Sequence, residues 1–179
     1  MKFTSTKING VYIVELEPRI DERGYFTRFF AQEEFERAGI DFRMVQTNQA
    51  FTKGKGVLRG LHWQTEPKLE AKFFSCLNGE IFDVVCDVRK DSPTYGNWEG
   101  FHLNPDDFKL LFIPGGLAHG YETLTENCKV QYMVSEFYSP EYEKGFRWDD
   151  PTFNIKWPME PTFMSEKDKN LPSFADLKL

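Results

Sequence analysis

No stretch of these 179 residues approaches the run of about 20 apolar residues that spans a bilayer. The start, MKFTSTKINGVYIVEL, lacks the apolar core of a signal peptide. Both absences set a cytoplasmic protein as the expectation. Cysteine is scarce and unpaired: Cys76, Cys86 and Cys128 are odd in number, lie among apolar residues and form no C-x-x-C pair. That argues against a zinc ribbon or a disulfide framework and predicts buried free thiols in a reducing compartment. Missing too are G-x-G-x-x-G and G-x-x-x-x-G-K-[ST], the glycine loops that cradle nucleotide phosphates. An enzyme built from this chain is expected to work without a redox cofactor, which suits redox-neutral chemistry. Nor is there an excess of positive charge. With 22 Lys and Arg against 28 Asp and Glu, the formal charge of −6 speaks against general binding to nucleic acid or membrane. An anionic substrate would have to be met by locally placed Arg and Lys.

What is present suits one globular domain over residues 1–179, long enough to bury a sizeable core. The 18 phenylalanines predict a ring-rich core, a stacking site, or both. Short β-like runs recur between turn signals: GVYIVEL (10–16), VLRGLHWQ (57–64), KLLFIP (109–114), HGYETL (119–124) and KVQYMVSEFY (129–138). Asn78-Gly79, between KFFSCL and EIFDVVCDVR, predicts a hairpin. In its second arm Phe82, Val84, Cys86 and Val88 share one face, and Asp83, Asp87 and Arg89 the other. Helix is expected only at AQEEFERAG (31–39), stopped by its glycine, and as one turn at SEKDKN (165–170). The reading is all-β: a jelly-roll, cupin-like barrel with a few short helices. PGGLAH (114–119) fits the P-x-G-x-x-H of the second cupin motif. The first is half present, because Gln64 stands where a metal-binding cupin has a second His after His62.

Several side chains suit proton chemistry, and each has a plainer explanation. His62 is a candidate general base, or a strand histidine bonded within the core. Lys72 shares parity with Phe74 and Cys76, so it points inward with them. There it either meets an anion, as in stabilising an enolate oxygen, or snorkels from the strand end. Tyr132 and Tyr138 lie in one β-like run and face the same way, as a proton donor and a stacking ring or as half-buried packing residues. Asp168 closes the capping-box pattern SEKD with Ser165, or it orients His62. Arg59 and His62 have opposite strand parity, and Gly60 between them predicts a bulge that re-aims one of them. His102 has no partner pattern and reads as structural.

Ten segments, in their order and spacing, resemble the dTDP-4-dehydrorhamnose 3,5-epimerase family over about residues 10–172. They are DERGYF (21–26), QTN (46–48), GVLRGLHWQ (56–64), AK (71–72), NGEIFDVVCDVRKDSPTYG (78–96), IPGGLAHGY (113–121), FYSPEYE (137–143), WDDP (148–151), IKWP (155–158) and SEKD (165–168). The resemblance implies a jelly-roll homodimer that needs neither cofactor nor metal. Its substrate would be a nucleotide-linked 4-keto-6-deoxyhexose, the dTDP sugar on the route to dTDP-L-rhamnose, epimerised at C3 and C5. It makes His62 the base, Asp168 its orienting partner, Lys72 the enolate stabiliser and Tyr132 the opposite-face proton donor. It assigns substrate contacts to Arg23, Gln46, Asn48, Arg59, His119, Glu143 and Lys167, with Tyr138 stacking on the nucleobase. Arg23 and Arg59 would hold the pyrophosphate, Arg23 from the partner subunit. Arg28, Ala50 and Tyr121 depart from the family's usual Glu, Ser and Phe. Three rivals stay open: a single-site epimerase for another deoxysugar, a metal-dependent cupin with His62, Glu66 and His119 as ligands, and a non-catalytic sugar-nucleotide-binding module.

Overall fold

A computed structural model describes residues 1–178. The chain opens with strands β1 (Lys2–Ser5), β2 (Tyr12–Glu15), β3 (Arg19–Asp21) and β4 (Gly24–Phe26), then helix α1 (Gln32–Arg37). There follow β5 (Gln46–Thr52), β6 (Leu58–Gln64), β7 (Lys72–Asn78), β8 (Ile81–Asp87) and β9 (Trp98–Leu103). The last elements are β10 (Lys109–Ile113), β11 (Leu117–Thr123), β12 (Cys128–Val134), β13 (Glu143–Gly145) and helix α2 (Glu166–Lys169). The protein is thus mostly β, with few and short helices. None among the described residues is long and apolar enough to cross a membrane.

The strands form a six-stranded sheet in the order β1-β2-β10-β7-β12-β5 and a five-stranded sheet in the order β13-β6-β11-β8-β9, with β3 and β4 as a separate ribbon. Among the described residues no strand is hydrogen-bonded across the two large sheets, so no closed barrel forms there. Between them lies a core containing Phe74, Cys76 and Leu111 from one sheet and Ile81, Val85, Leu117 and Tyr121 from the other. The outer face of the six-stranded sheet is covered by α1 through Phe35, which meets Phe73 and Phe112 edge-on at 5.0 and 6.0 Å. A six-residue helix is marginal in isolation; burying such a ring, worth about 1.5–3 kcal/mol, holds it in place.

Two expectations need correction. Asn78-Gly79 does not close a hairpin: β7 and β8 belong to different sheets. A two-residue type I′ turn needs positive φ at both positions, and here only Gly79 has it (φ 78°). The turn is tied to the 125–128 loop instead, by Asn78 Nδ2 donating to the Asn127 carbonyl and Glu80 N–H to the Thr125 hydroxyl. The two faces read in β8 are as expected, and both are buried. Phe82, Val84 and Cys86 pack under the C-terminal segment with Phe146, Phe153 and Phe174, which turns Asp83 and Asp87 inward. Second, β12 ends at Val134, so Tyr138 sits in a loop and owes nothing to strand parity. The three cysteines are buried and free, and burial pushes the Cys76 thiol up to about 12.

Glu122 on β11 is fully buried beneath the C-terminal segment, beside Leu58 and Phe82 in the sheet. Burial pushes its carboxyl up to about 7; the Met159 N–H opposes this and the Glu160 charge adds to it. An unfolded Glu titrates near about 4.3, so between those values the folded state binds the extra proton and stability falls as pH rises. Glu122→Gln is therefore expected to match the parent's melting temperature near pH 5 and exceed it near pH 8, by about 2–4 °C per kcal/mol recovered. Identical differences at both pH values would show that Glu122 does not set this dependence.

Candidate active site

A cavity of about 560 Å³ opens between the two large sheets, and every predicted site residue except Arg23 lines it. β6 and β11 supply one wall. His62 and His119 are cross-strand partners, but Tyr121 pairs with Arg59, so β6 carries one extra residue in this interval. That bulge at Gly60 restores parity and turns both Arg59 and His62 into the cavity. Only glycine fits there: φ is 124°, and a Cβ would lie 2.6 Å from the Cα of Gly120.

Each cavity histidine has its own carboxylate. His62 Nε2 lies 2.7 Å from Asp168 Oδ1 without a well-formed hydrogen bond, and among the described residues the other ring nitrogen forms none. Burial pushes the Asp168 carboxyl up, but His62, the Ser165 hydroxyl and the Gly60 N–H outweigh it and hold Asp168 below the ordinary range. The capping explanation of SEKD is also correct, since Ser165 Oγ accepts from the Asp168 N–H at 3.1 Å at the start of α2. Ser165 caps the helix, and Asp168 in its first turn reaches His62. His119 Nε2 lies 2.8 Å from Asp83 Oδ2, both buried. Burial raises the Asp83 carboxyl, with His119 and the Lys72 charge pulling against it.

The facing wall comes from β5, β7 and β12. Tyr132 is a cross-strand partner of both Asn48 and Phe74. Its ring stacks on Phe74 at 5.8 Å, and Phe74 also meets His119 at 4.8 Å and Tyr121 at 5.7 Å. Burial first, and then the charge of Glu70, raise the Tyr132 phenol, so it stays protonated at neutral pH. Lys72 Nζ contacts Glu70 at 3.4 Å. Gln46 Nε2 donates to Asn48 Oδ1 at 2.7 Å, ordering the two amides along β5.

At the rim, Glu143 accepts from the Tyr138 hydroxyl at 2.7 Å and from Lys167 Nζ at 2.6 Å. Burial raises the Glu143 carboxyl, but these two bonds prevail and lower it. Gln64, the residue that breaks the first cupin motif, is buried and fixes the Tyr138 loop: it donates to the carbonyls of Lys68 and Phe137 and accepts from Ser139 N–H. Glu66 is exposed and outside the cavity, so His62, Glu66 and His119 do not converge as a ligand set. Arg28 lies outside it as well, paired with Glu34 at 2.7 Å, whereas Ala50 and Tyr121 line it.

A family model described as dTDP-4-dehydrorhamnose 3,5-epimerase matches residues 5–176. The chain belongs to this family. It is 44% identical over 172 residues to the dTDP-4-dehydrorhamnose 3,5-epimerase of Methanothermobacter thermautotrophicus, covering 94% of this chain and 92% of that protein. The crystal structure of a dTDP-6-deoxy-D-glucose-3,5-epimerase from Legionella pneumophila, in complex with dTDP-4-keto-L-rhamnose, matches with TM-score 0.93 at 36% identity, covering 99% of this chain and 94% of that one. A 3'-monoepimerase from Streptomyces bikiniensis in complex with dTDP-quinovose matches with TM-score 0.88 at 34% identity, covering 95% of this chain and 86% of that one.

In this member of the epimerase family, reasoning from the sequence missed Glu70, Phe74 and Asp83 as cavity groups or their partners. Glu70 was within reach, since it lies two residues before Lys72 and shares its parity. Asp83 was not, because its inward turn depends on the C-terminal segment covering the other face of β8.

Proposed function

We propose that the protein inverts C3 and C5 of dTDP-4-dehydro-6-deoxy-D-glucose, giving dTDP-4-dehydro-L-rhamnose without a cofactor. The observation that carries this reading is one cavity with His62 on one sheet, Asp168 of α2 beside it, and Tyr132 on the sheet facing it. The C4 ketone acidifies the hydrogens on C3 and C5. The free nitrogen of His62 takes one of them, and the electron pair moves into an enolate whose oxygen meets the Lys72 ammonium. Tyr132 then delivers a proton from the opposite face. His62 ends one proton richer and Tyr132 one poorer, and exchange with water resets both before the second carbon reacts. Each inverted carbon therefore carries one hydrogen from solvent.

Arg59, Lys167 and the rim ring of Tyr138 suit a diphosphate and a base at the open end. Arg23 is 85% exposed and does not line the cavity of its own chain, and its ribbon also exposes Ile20, Tyr25 and Phe26. Apolar exposure of this kind favours a covered surface, and we assign it to a homodimer in which Arg23 reaches the partner's site. In this reading the whole chain acts as one jelly-roll epimerase domain. Inversion at C3 alone is the second reading, favoured by the similarity to a 3'-monoepimerase and by Ala50 and Tyr121 in the cavity wall.

Proton NMR of the keto sugar nucleotide with the enzyme in D₂O separates these readings. Deuterium entering both C3 and C5, with the L-lyxo product trapped by a reductase, is expected. Exchange at C3 alone establishes the second reading, and exchange at neither carbon overturns both.

A further inference from the structure

Lys72 and Glu70 project into the same cavity from one short, rigid stretch of chain. The residue between them, Ala71, is locked from both sides: its N–H donates to Ser135 Oγ at 2.9 Å, and its carbonyl accepts from Ser135 N–H at 3.1 Å. The two side chains are nearly equally enclosed, 14% and 13% exposed, and Nζ lies 3.4 Å from Oε2. Asp83 also feels the ammonium, but its own short contact is with His119. Among the described residues, Glu70 is the one carboxylate within ion-pair distance of Lys72.

A lysine ammonium is a point charge on a flexible four-carbon stem with three rotating donors. To stabilise an oxyanion it must already stand where the charge will develop, because reorienting it during the reaction forfeits much of the gain. One anchored N–H fixes the stem and leaves two donors for the substrate. A separation of 3.4 Å is long for a charge-assisted bond, so the anchor directs the ammonium without saturating it. We propose that Glu70 is the positioning residue for Lys72, holding its ammonium toward the enolate oxygen of the sugar. The inference rests on the epimerase reading above.

The test is a double-mutant cycle read by deuterium incorporation in D₂O, with dTDP affinity measured alongside by calorimetry. Glu70→Ala is expected to lower kcat for exchange by about ten- to a hundredfold, the range for losing a hydrogen bond to a charged group. KM and dTDP affinity should stay within about twofold, since the diphosphate and base subsites lie elsewhere in the cavity. Glu70→Gln keeps an acceptor oxygen in the same place and is expected to recover about tenfold of that loss. In a Lys72→Met background, where exchange is followed over hours, neither change at Glu70 should cost anything more.

Losses that add to that of Lys72→Met would overturn the proposal, because Glu70 would then act on its own. So would wild-type kcat in Glu70→Ala, or a loss confined to KM and dTDP affinity. Should Glu70→Ala fail to fold, Glu70→Gln measured with and without Lys72→Met decides the same question. Full activity in Lys72→Met alone would instead remove the role of Lys72 in the epimerase reading, and that outcome is visible before Glu70 is touched.

Discussion

Replacing His62 by alanine is expected to stop deuterium incorporation at both C3 and C5, by roughly 10²–10⁴-fold, the usual worth of a positioned general base. The affinity for dTDP should barely change, because the rim is held by bonds among Tyr138, Glu143 and Lys167 that do not involve the His62 side chain. Loss at both carbons is the informative part. In the proposed reading a single base, His62, serves C3 and C5 in turn. Solvent exchange and dTDP titration of His62→Ala read this directly. Retained exchange at either carbon would remove His62 as its base. The variant also strands Asp168, which is buried and held charged mainly by His62 against the penalty of burial. A carboxyl with a depressed folded value stabilises above the unfolded value near about 3.9 and loses that contribution as pH falls through the folded one. His62→Ala should therefore be less stable than the parent at neutral pH, with the difference shrinking in acid.

Tyr132→Phe is expected to separate two events that His62→Ala removes together. Exchange at C3 and C5 should persist within about tenfold, because His62 and Lys72 remain, while formation of the inverted product should fall by roughly 10²–10⁴-fold. The ring stays, so its stacking on Phe74 and the cross-strand contact with Asn48 survive, and folding should be little affected. The pattern is exchange with retention: a deuteron returned by the base to the face it came from. Inversion at the parent rate in this variant would mean another group delivers the proton. Tyr121 is the first to examine, since its ring meets the same Phe74, and Tyr121→Phe is the matching control.

Local features of the sequence were legible where local physics decides them. The strands over residues 58–64 and 109–113, the Gly39 stop after α1, and the serine cap at Ser165 all follow from side-chain period and backbone preference. So does the bulge at Gly60, which opposite parity of Arg59 and His62 required if both were to face one site. Asn78-Gly79 misled because a turn signal states that the chain reverses, and says nothing of whether its arms then pair. Tyr138 was read as strand because YMVSEFY keeps its alternation past Val134, although Gln64 peels that loop away to build the rim.

The chain alone determined which residues were available for proton chemistry and where the main alternating runs lie. Those properties depend on neighbours within a few residues. The tertiary structure decided what faces what. It laid the C-terminal segment over β8 and turned Asp83 toward His119, and it carried Asp168 from the far end of the chain to His62. It also set Tyr132 across the cavity from both histidines. Strand alternation specifies two faces without saying which is inside, and burial on both sides erases the difference. The partner of a buried charge is chosen by packing between distant segments, where sequence spacing carries no information.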